Sequence, residues 1–511
     1  MASRILGVVR EQVLAAYFGA GSAMDAYNVA FRIPNLVRDL FAEGAMSAAF
    51  VPTFTRRLTN QGKESAWRLG STVITALLLI TAAMVIGGMV FAEPIVRAFA
   101  GDYANVPGKL ELTVLLTRIM LPFLTLVALA AAVMGMLNSL HRFFLPALSP
   151  AMFNVGTIIC TLALVPVMPR FGLPAIAAVA IGTVVGGFGQ LVVQWPALRR
   201  EGFRYRPTVD FRDEGLRRVL MLMGPASIGL AATQVNVFVN TVLATGEGES
   251  AVSWLNYAFR LMYLPIGLFG VSIATAAAPA VSRHAAEENR GAIKSTVADS
   301  LSLMMMLNVP ATVGLIVLAV PIVQVIFERR AFTHTDTLAT AAALQAYAIG
   351  LVGYSVVRIT SPTFYALNES RTPVKVSVMT VLVNAALNIA LARAMGYRGL
   401  ALGTSLAALL NGGTLLFLLH RRLQGLEVRR VLVSFVKIAM ASALMGAAAG
   451  AADLVLLRWL PGAGLGLQLL RLTASIAVAL VVLAVSAHIL QIDEFRRGVR
   501  LIFAKLARGR S

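Results

Sequence analysis

Charge is scarce in this 511-residue chain: Asp, Glu, Lys and Arg together make up 13% of it, against about 25% in a soluble domain. Hydrophobic residues make up 58%, which excludes an ordinary soluble domain and points to an integral membrane protein. Cysteine is nearly absent. The single thiol, Cys160, rules out an intrachain disulfide, and the apolar run FNVGTIICTLALV around it predicts buried packing. A reactive thiol needs an electropositive, accessible setting, which this run does not offer. The five histidines, His141, His284, His334, His420 and His488, fall in loops or at helix ends. His284-Ala-Ala-Glu287 lacks the second histidine of a zinc helix, and no P-loop is present. Gly462-Ala-Gly464-Leu-Gly466 has no βαβ context and reads as a turn. ATP-driven transport within this chain is excluded, and no hydrolase or transferase signature stands out.

What the chain has in abundance is apolar length. Fourteen runs lie near 2–18, 24–55, 70–91, 112–138, 147–168, 173–196, 215–243, 251–281, 296–327, 337–366, 372–392, 399–419, 432–457 and 467–490. Each approaches or exceeds the roughly 20 residues that carry a helix across a hydrocarbon core. A barrel would instead alternate apolar and polar residues in segments of about ten, whereas 71–90 and 473–490 run almost unbroken. The expected fold is therefore all-α, with about 14 transmembrane helices. Arg4 and Arg10 interrupt the first run and no A-x-A site follows it, so no cleavable signal peptide is expected.

The formal net charge is +20, which in a soluble protein would suggest nucleic acid. Its distribution argues otherwise. With the N-terminus inside, one set of alternate loops and the tail hold 27 Lys and Arg, including seven from Arg199 to Arg218, and the other set holds 8. The positive-inside rule then predicts a multi-pass protein with both termini in the cytoplasm. No aromatic-basic module accompanies the charge, so no nucleic-acid partner is expected.

The second run, laid over the eighth, shows an internal repeat. Asn28-Val29-Ala30-Phe31-Arg32 reads against Asn256-Tyr257-Ala258-Phe259-Arg260, and Pro52 against Pro279. Leu137-Asn138 matches Leu367-Asn368, and Gly182-Thr183 matches Gly403-Thr404. The expected organisation is an N-terminal six-helix lobe at 1–196, a basic cytoplasmic linker at 197–214, a C-terminal six-helix lobe at 215–421, and helices 13 and 14 with a basic tail at 422–511. Parallel repeats of this kind pack as two bundles with a substrate site between them near the midplane. The Gly182-to-Gly186 and Gly446-to-Gly450 spacings predict close helix packing.

Residues 31–52 place Arg32, Arg38, Asp39 and Glu43 inside an apolar segment. An arginine at a helix centre costs roughly 2.5–3.5 kcal/mol on translocon scales, so a chain that keeps several must recover that cost in a wet cavity or an anionic ligand. Arg10, Arg38 and Arg260 come from runs one, two and eight, which the two-bundle arrangement puts around one cleft. Guanidinium groups stay charged and bind phosphate bidentately, so a pyrophosphate suits such a cleft better than a sugar. Pro34 breaks the helix and frees backbone groups where they line a cavity. Asp25 is open between a helix cap and an ion partner of Arg10. The plain alternative for each arginine is snorkelling, or an ion pair with Asp39, Glu43 or Glu11. Arg118 and Arg358 are left open.

SRILGVVREQVLAAYFGAGSAMDAYNVAFRIPNLVRDLFAEGAMSAAFVP, residues 3–52, closely resembles the opening of the MurJ (MviN) family of lipid II flippases, within the multidrug/oligosaccharidyl-lipid/polysaccharide exporter superfamily. WLNYAFRLMYLPIGLFGVSIATAAAP at 254–279 extends the resemblance. It implies two six-helix lobes, alternating access without covalent chemistry, and export of the undecaprenyl-pyrophosphate-linked peptidoglycan precursor across the bacterial cytoplasmic membrane. By motif, the family's cavity arginines correspond to Arg4, Arg10, Arg38 and Arg260, and Ser3, Asp25, Pro34, Asn35 and Glu43 match further positions. Helices 13 and 14 would form a groove for the lipid tail. Lipid II and membrane lipids are the implied partners, with proteins of cell-wall synthesis left open.

This chain departs from the family in three places. Phe259 and Tyr263 stand where some relatives carry acids beside the arginine of helix eight. The family's sodium site uses carboxylates, whereas the matching positions are Asn240, Asn384 and Asn388, with Thr404; amide oxygens still ligate a hard cation, but more weakly without the charge. No cofactor is implied, and the driving force stays open between Na+ and the membrane potential. Relatives usually begin about a dozen residues earlier, so the start at Met1 is expected to be late. Rival readings are a flippase for another undecaprenyl-linked glycan, an exporter of amphipathic drugs, and a membrane scaffold for cell-wall enzymes. A drug exporter would favour carboxylates for cationic cargo, and a scaffold has no need of intramembrane charge.

Overall fold

The structure, a computed structural model, describes residues 2–39, 46–210 and 212–496. Helices are the only regular elements among them, as expected where lipid offers no partner to a backbone N–H or C=O. The chain forms two compact units, Met1–Ser253 with Arg329–Phe332, and Trp254–Glu328 with Thr333–Ser511.

The first unit holds α1 (Ala2–Phe18), α2 (Ser22–Arg38), α3 (Met46–Val90), α4 (Ala92–Ala100), α5 (Lys109–Met120), α6 (Phe123–Ser139), α7 (Phe144–Leu164), α8 (Ala177–Arg200) and α9 (Glu214–Thr245). α10 (Ala251–Pro265) starts at the boundary, and the second unit continues with α11 (Val271–Ala286), α12 (Arg290–Val317), α13 (Ala319–Phe327), α14 (His334–Ala348), α15 (Leu351–Ala366), α16 (Arg371–Met395), α17 (Tyr397–Arg422), α18 (Val428–Trp459) and α19 (Leu465–Ile489).

Among the described residues nine helices are long and apolar enough to cross a membrane, and α14 with α15, bent by 41°, forms a tenth. α1 and α2 have 17 residues each among the described residues, and the second run continues into residues 40–45, which lie outside them. The eighth run is interrupted by a π turn at Ile266–Gly270 between α10 and α11. α3 is broken at Gly62, whose φ of +80° suits a residue without a Cβ.

The repeat is visible in element order. Ala92 and Ala319 begin nine-residue helices, Lys109 and His334 begin the first halves of broken pairs, and Phe123 and Leu351 begin the second halves. Phe144 and Arg371, then Ala177 and Tyr397, begin the paired helices that follow. Small residues let those pairs approach backbone to backbone. A Cβ on Gly186 of α8 would lie 2.7 Å from the Phe153 carbonyl oxygen of α7, and one on Gly403 of α17 would lie 2.2 Å from Asn388 Oδ1 of α16. Gly446 and Gly450 on α18 instead make room for the side chains of Val313 and Val317 of α12.

Packing groups α9 with the first unit, although the sequence repeat counts it with the second half: Phe238 meets Phe99 edge to face at 4.7 Å. Nor is the basic segment 197–214 simply a solvated linker. Phe203 is 1% exposed and sits against Trp67 and Trp195 at 5.3 and 6.0 Å. Arg57 donates through Nη1 to both oxygens of Asp213 at 2.8 Å. One aromatic ring in a charged stretch is enough to anchor it, because it buries an apolar face that water would otherwise cover.

Candidate functional site

In the first unit Arg10 and Arg38 each pair with the residue that follows them. Arg10 is buried, pairs with Glu11 at 2.5 Å, and stands with its guanidinium carbon 4.8 Å from the Phe153 ring centroid. Phe153 lies 5.6 Å from both Phe31 and Phe123, so the charge rests against an aromatic wall. Arg38 is only partly buried and pairs with Asp39 through Nε at 3.0 Å and Nη2 at 2.6 Å. Pro34 is buried within α2, its ring replacing the N–H that would bond the Ala30 carbonyl. Next to it in the sequence, Asn35 has its Oδ1 buried and making no hydrogen bond among the described residues. Arg4 is exposed on α1, and the Ser3 carbonyl accepts from Asn154 Nδ2 at 3.0 Å. Glu43 lies outside the described residues.

Asp25 caps a helix, but not its own. Its side chain is fully buried; Oδ1 accepts from Ser253 N at 2.9 Å and Ser253 Oγ at 2.7 Å, and Oδ2 accepts from Ser250 N at 2.8 Å and Lys109 Nζ at 2.9 Å. The carboxylate thus holds the start of α10, where exposed N–H groups and the helix dipole favour negative charge. Its ion partner is Lys109, not Arg10. Lys109 in turn lies 4.1 Å from the centroid of the Tyr103 ring. Burial, with the Asp25 carboxylate behind it, pushes the Tyr103 phenol well above its ordinary range. No sequence motif marks Lys109, which sits 84 residues from its partner.

In the second unit Arg260 is exposed on α10. Phe259 stacks on Tyr263 at 5.9 Å and meets Tyr347 edge to face at 5.4 Å. Tyr263 Oη accepts from Arg358 Nη2 at 2.5 Å. Tyr263 follows Arg260 by three residues, a spacing that puts both on one helical face. Phe259 and Tyr263 thus put rings beside Arg260, and a second guanidinium is tied to that same face. Arg118 ends differently: its Nε donates to the Met89 carbonyl at 3.3 Å, capping the end of α3.

Asn384 and Asn388 are buried one turn apart on α16, and Thr404 on α17 donates to the Leu400 carbonyl at 2.8 Å. These are neutral oxygen donors of the kind a hard cation accepts, and Asn240 belongs to the other unit. Among the described residues no cluster of His, Cys, Asp or Glu could hold a metal ion.

Residues 14–469 match the family model described as lipid II flippase MurJ. The lipid II flippase MurJ of Burkholderia cenocepacia is 35% identical over 425 residues, covering 82% of this chain and 81% of its own length. The protein named "Probable lipid II flippase MurJ" in Vibrio cholerae is 35% identical over 454 residues, 87% of this chain and 85% of its own. A solved structure of lipid II flippase MurJ in an inward closed conformation is 28% identical, covers 96% of this chain and 97% of that one, and has a TM-score of 0.78. An inward-facing multidrug resistance transporter of the MATE family shares the fold at 15% identity, with 83% and 94% coverage and a TM-score of 0.69.

Proposed function

The chain belongs to the family of the lipid II flippase MurJ, and from that premise we propose that it carries lipid II from the inner to the outer leaflet of a bacterial cytoplasmic membrane by alternating access. The observation that carries this reading is the match to those flippases over more than four fifths of the chain at 35% identity. The arginines in otherwise apolar helices give it chemistry. In this reading Arg4, Arg10, Arg38 and Arg260 receive the pyrophosphate, whose oxygens accept bidentate N–H donation as a carboxylate does. Ser3, Asn35 and Glu43 line the same path, and Asp25 positions α10 rather than touching cargo. No bond is made or broken.

The paired acids explain how the carrier returns empty. A bare guanidinium in a low-dielectric environment costs several kcal/mol, and Glu11 and Asp39 neutralise Arg10 and Arg38 until a diphosphate displaces them. The 27-to-8 distribution of basic residues supports cytoplasmic termini. A coupling Na+ would be held by the oxygens of Asn384, Asn388 and Thr404, with Asn240 as a further donor; its neutral ligands make the site weak.

The test is depletion with complementation, reading surface-exposed lipid II with an external probe. Wild-type chain restores exposure, whereas Arg38→Ala and Arg260→Ala do not. Full exposure with either variant at normal protein level would overturn the arginine mechanism, and unchanged exposure on depletion would overturn the cargo.

A further inference from the structure

Where α19 ends, the chain turns back over the start of α18. Gln491 takes a positive φ of 52°, and Ile492, 1% exposed, plugs into the core of the second unit. Beside this turn lies a cavity of about 560 Å³, lined by Arg429, Ser434, Lys437, Gln491, Asp493 and Glu494 among others. It sits at the shared end of two helices long and apolar enough to cross a membrane, so it opens at the level of lipid headgroups. Next to it, Val433, Val436 and Met440 of α18 are each about half exposed, and Ile489 of α19 is 70% exposed, giving an apolar surface for acyl chains.

The charges of this cavity divide into two groups. Arg430 is already satisfied, giving Nη2 to Asp299 at 2.5 Å and Nη1 to Glu427 at 2.8 Å. Arg429, Lys437, Asp493 and Glu494 form no ion pair among the described residues. Lys437 reaches only the Gln491 carbonyl, at 3.5 Å. Glu494 adds its charge to the field around Arg430, and Arg429 and Lys437 share the cavity with Asp493 and Glu494 without a direct contact between them. Ser434 adds an independent sign. In the same unit Ser300, Ser355 and Ser442 return their hydroxyls to the carbonyl four residues back, whereas Ser302 and Ser475, like Ser434, keep buried hydroxyls without a partner among the described residues. Ser434, only 8% exposed, makes no such bond, and its Oγ is buried without a partner among the described residues. A buried hydroxyl left unpaired costs about 1–3 kcal/mol, which a ligand would recover.

We propose that this cavity binds the headgroup of a phospholipid that carries a phosphate and a primary ammonium together, the phosphatidylethanolamine class. The phosphate accepts from Ser434 Oγ, Lys437 Nζ and Arg429, and the ammonium donates to Asp493 and Glu494. Basic pockets at the ends of transmembrane helices take lipid headgroups; the two carboxylates here disfavour a purely anionic one and give the ammonium its partner. The cavity uses none of the arginines assigned to the pyrophosphate, although its apolar surface lies on the two helices expected to take the lipid tail.

Native mass spectrometry of the full chain tests it, in micelles supplied with phosphatidylethanolamine or with phosphatidylglycerol. Wild type should retain one phosphatidylethanolamine roughly tenfold more strongly than phosphatidylglycerol, the span expected for a few charge-assisted hydrogen bonds. Lys437→Met should cut that retention about fivefold or more, with Lys437→Arg restoring most of it. Asp493→Asn with Glu494→Gln leaves the cations uncompensated and should reverse the preference toward phosphatidylglycerol. Equal retention of the two lipids by wild type would overturn the proposal. So would a double variant that still prefers phosphatidylethanolamine, since all these positions line an open cavity and the variants can be compared at matched melting temperature.

Discussion

Arg38 gives two N–H donors to one oxygen of the residue that follows it, Asp39, while the other oxygen of Asp39 lies 3.5 Å from Gln234 Nε2. In α1 Arg10 likewise pairs with the residue that follows it, giving Nη2 to Glu11 Oε1. Two arginines of apolar helices thus each carry their neutraliser in the next position, where any movement of the helix carries both. A carboxylate and a phosphate compete for the same fork of donors, so the pair acts as a competitor for cargo as well as a counter-ion.

Asp39→Asn separates those two roles. With the competitor gone, binding of a lipid II analogue to the purified chain should tighten by roughly three- to tenfold, the value of one charge-assisted hydrogen bond. Surface exposure of lipid II in complemented cells should fall, because the carboxylate that offsets the Arg38 charge in the empty carrier is gone. Unchanged binding together with full transport would remove the role given to Asp39.

Breaking the Asp25–Lys109 pair from one side leaves a buried charge behind, a loss of about 3–5 kcal/mol. Asp25→Asn and Lys109→Met should each lower the unfolding free energy of the detergent-solubilised chain by that order. The double variant should recover much of it, since no charge is then orphaned. A double-mutant cycle with no coupling would show that the contact contributes little.

The close approach of α7 and α8 depends on hydrogen atoms where a methyl would clash. Gly186→Ala places a Cβ against the Phe153 backbone and should destabilise the chain by about 1–3 kcal/mol. Gly87, with nothing within 4 Å of the same position, should accept alanine at no cost or with a small gain. Thermal unfolding of the two variants side by side decides it.

Tyr263 holds Arg358 on the face that also carries Arg260. If that guanidinium assists the cargo, Arg358→Ala should reduce lipid II exposure in the complementation assay, and Tyr263→Phe should reduce it less, since the ring stays and only the hydrogen bond is lost. An Arg358→Ala variant as active as wild type would confine the contact to packing.

The class of the protein was legible without a structure because membrane insertion is nearly additive along the chain. Each residue of 71–90 or 473–490 adds its own transfer free energy, and no partner needs to be known. The repeat survives for a related reason: Gly182 and Gly403 mark the same backbone approach in both halves, and a position that admits only a hydrogen stays visible in the residue type. Boundaries were less legible, since run length alone does not reveal that Gly62 breaks α3 or that a π turn divides the eighth run.

The residues of the arginine motifs could likewise be named from their positions alone, as charges that apolar helices do not keep without a use. Their partners could not. That Asp25 holds the start of α10 and pairs with Lys109, that Tyr263 ties down Arg358, and that Phe203 anchors a basic segment are matters of contact between residues 84 to 228 positions apart in the first case, 95 in the second and 136 in the third. Hydrophobicity sums over a sequence, whereas an ion pair or hydrogen bond exists only within a few tenths of an ångström of its ideal geometry, and packing alone sets that geometry.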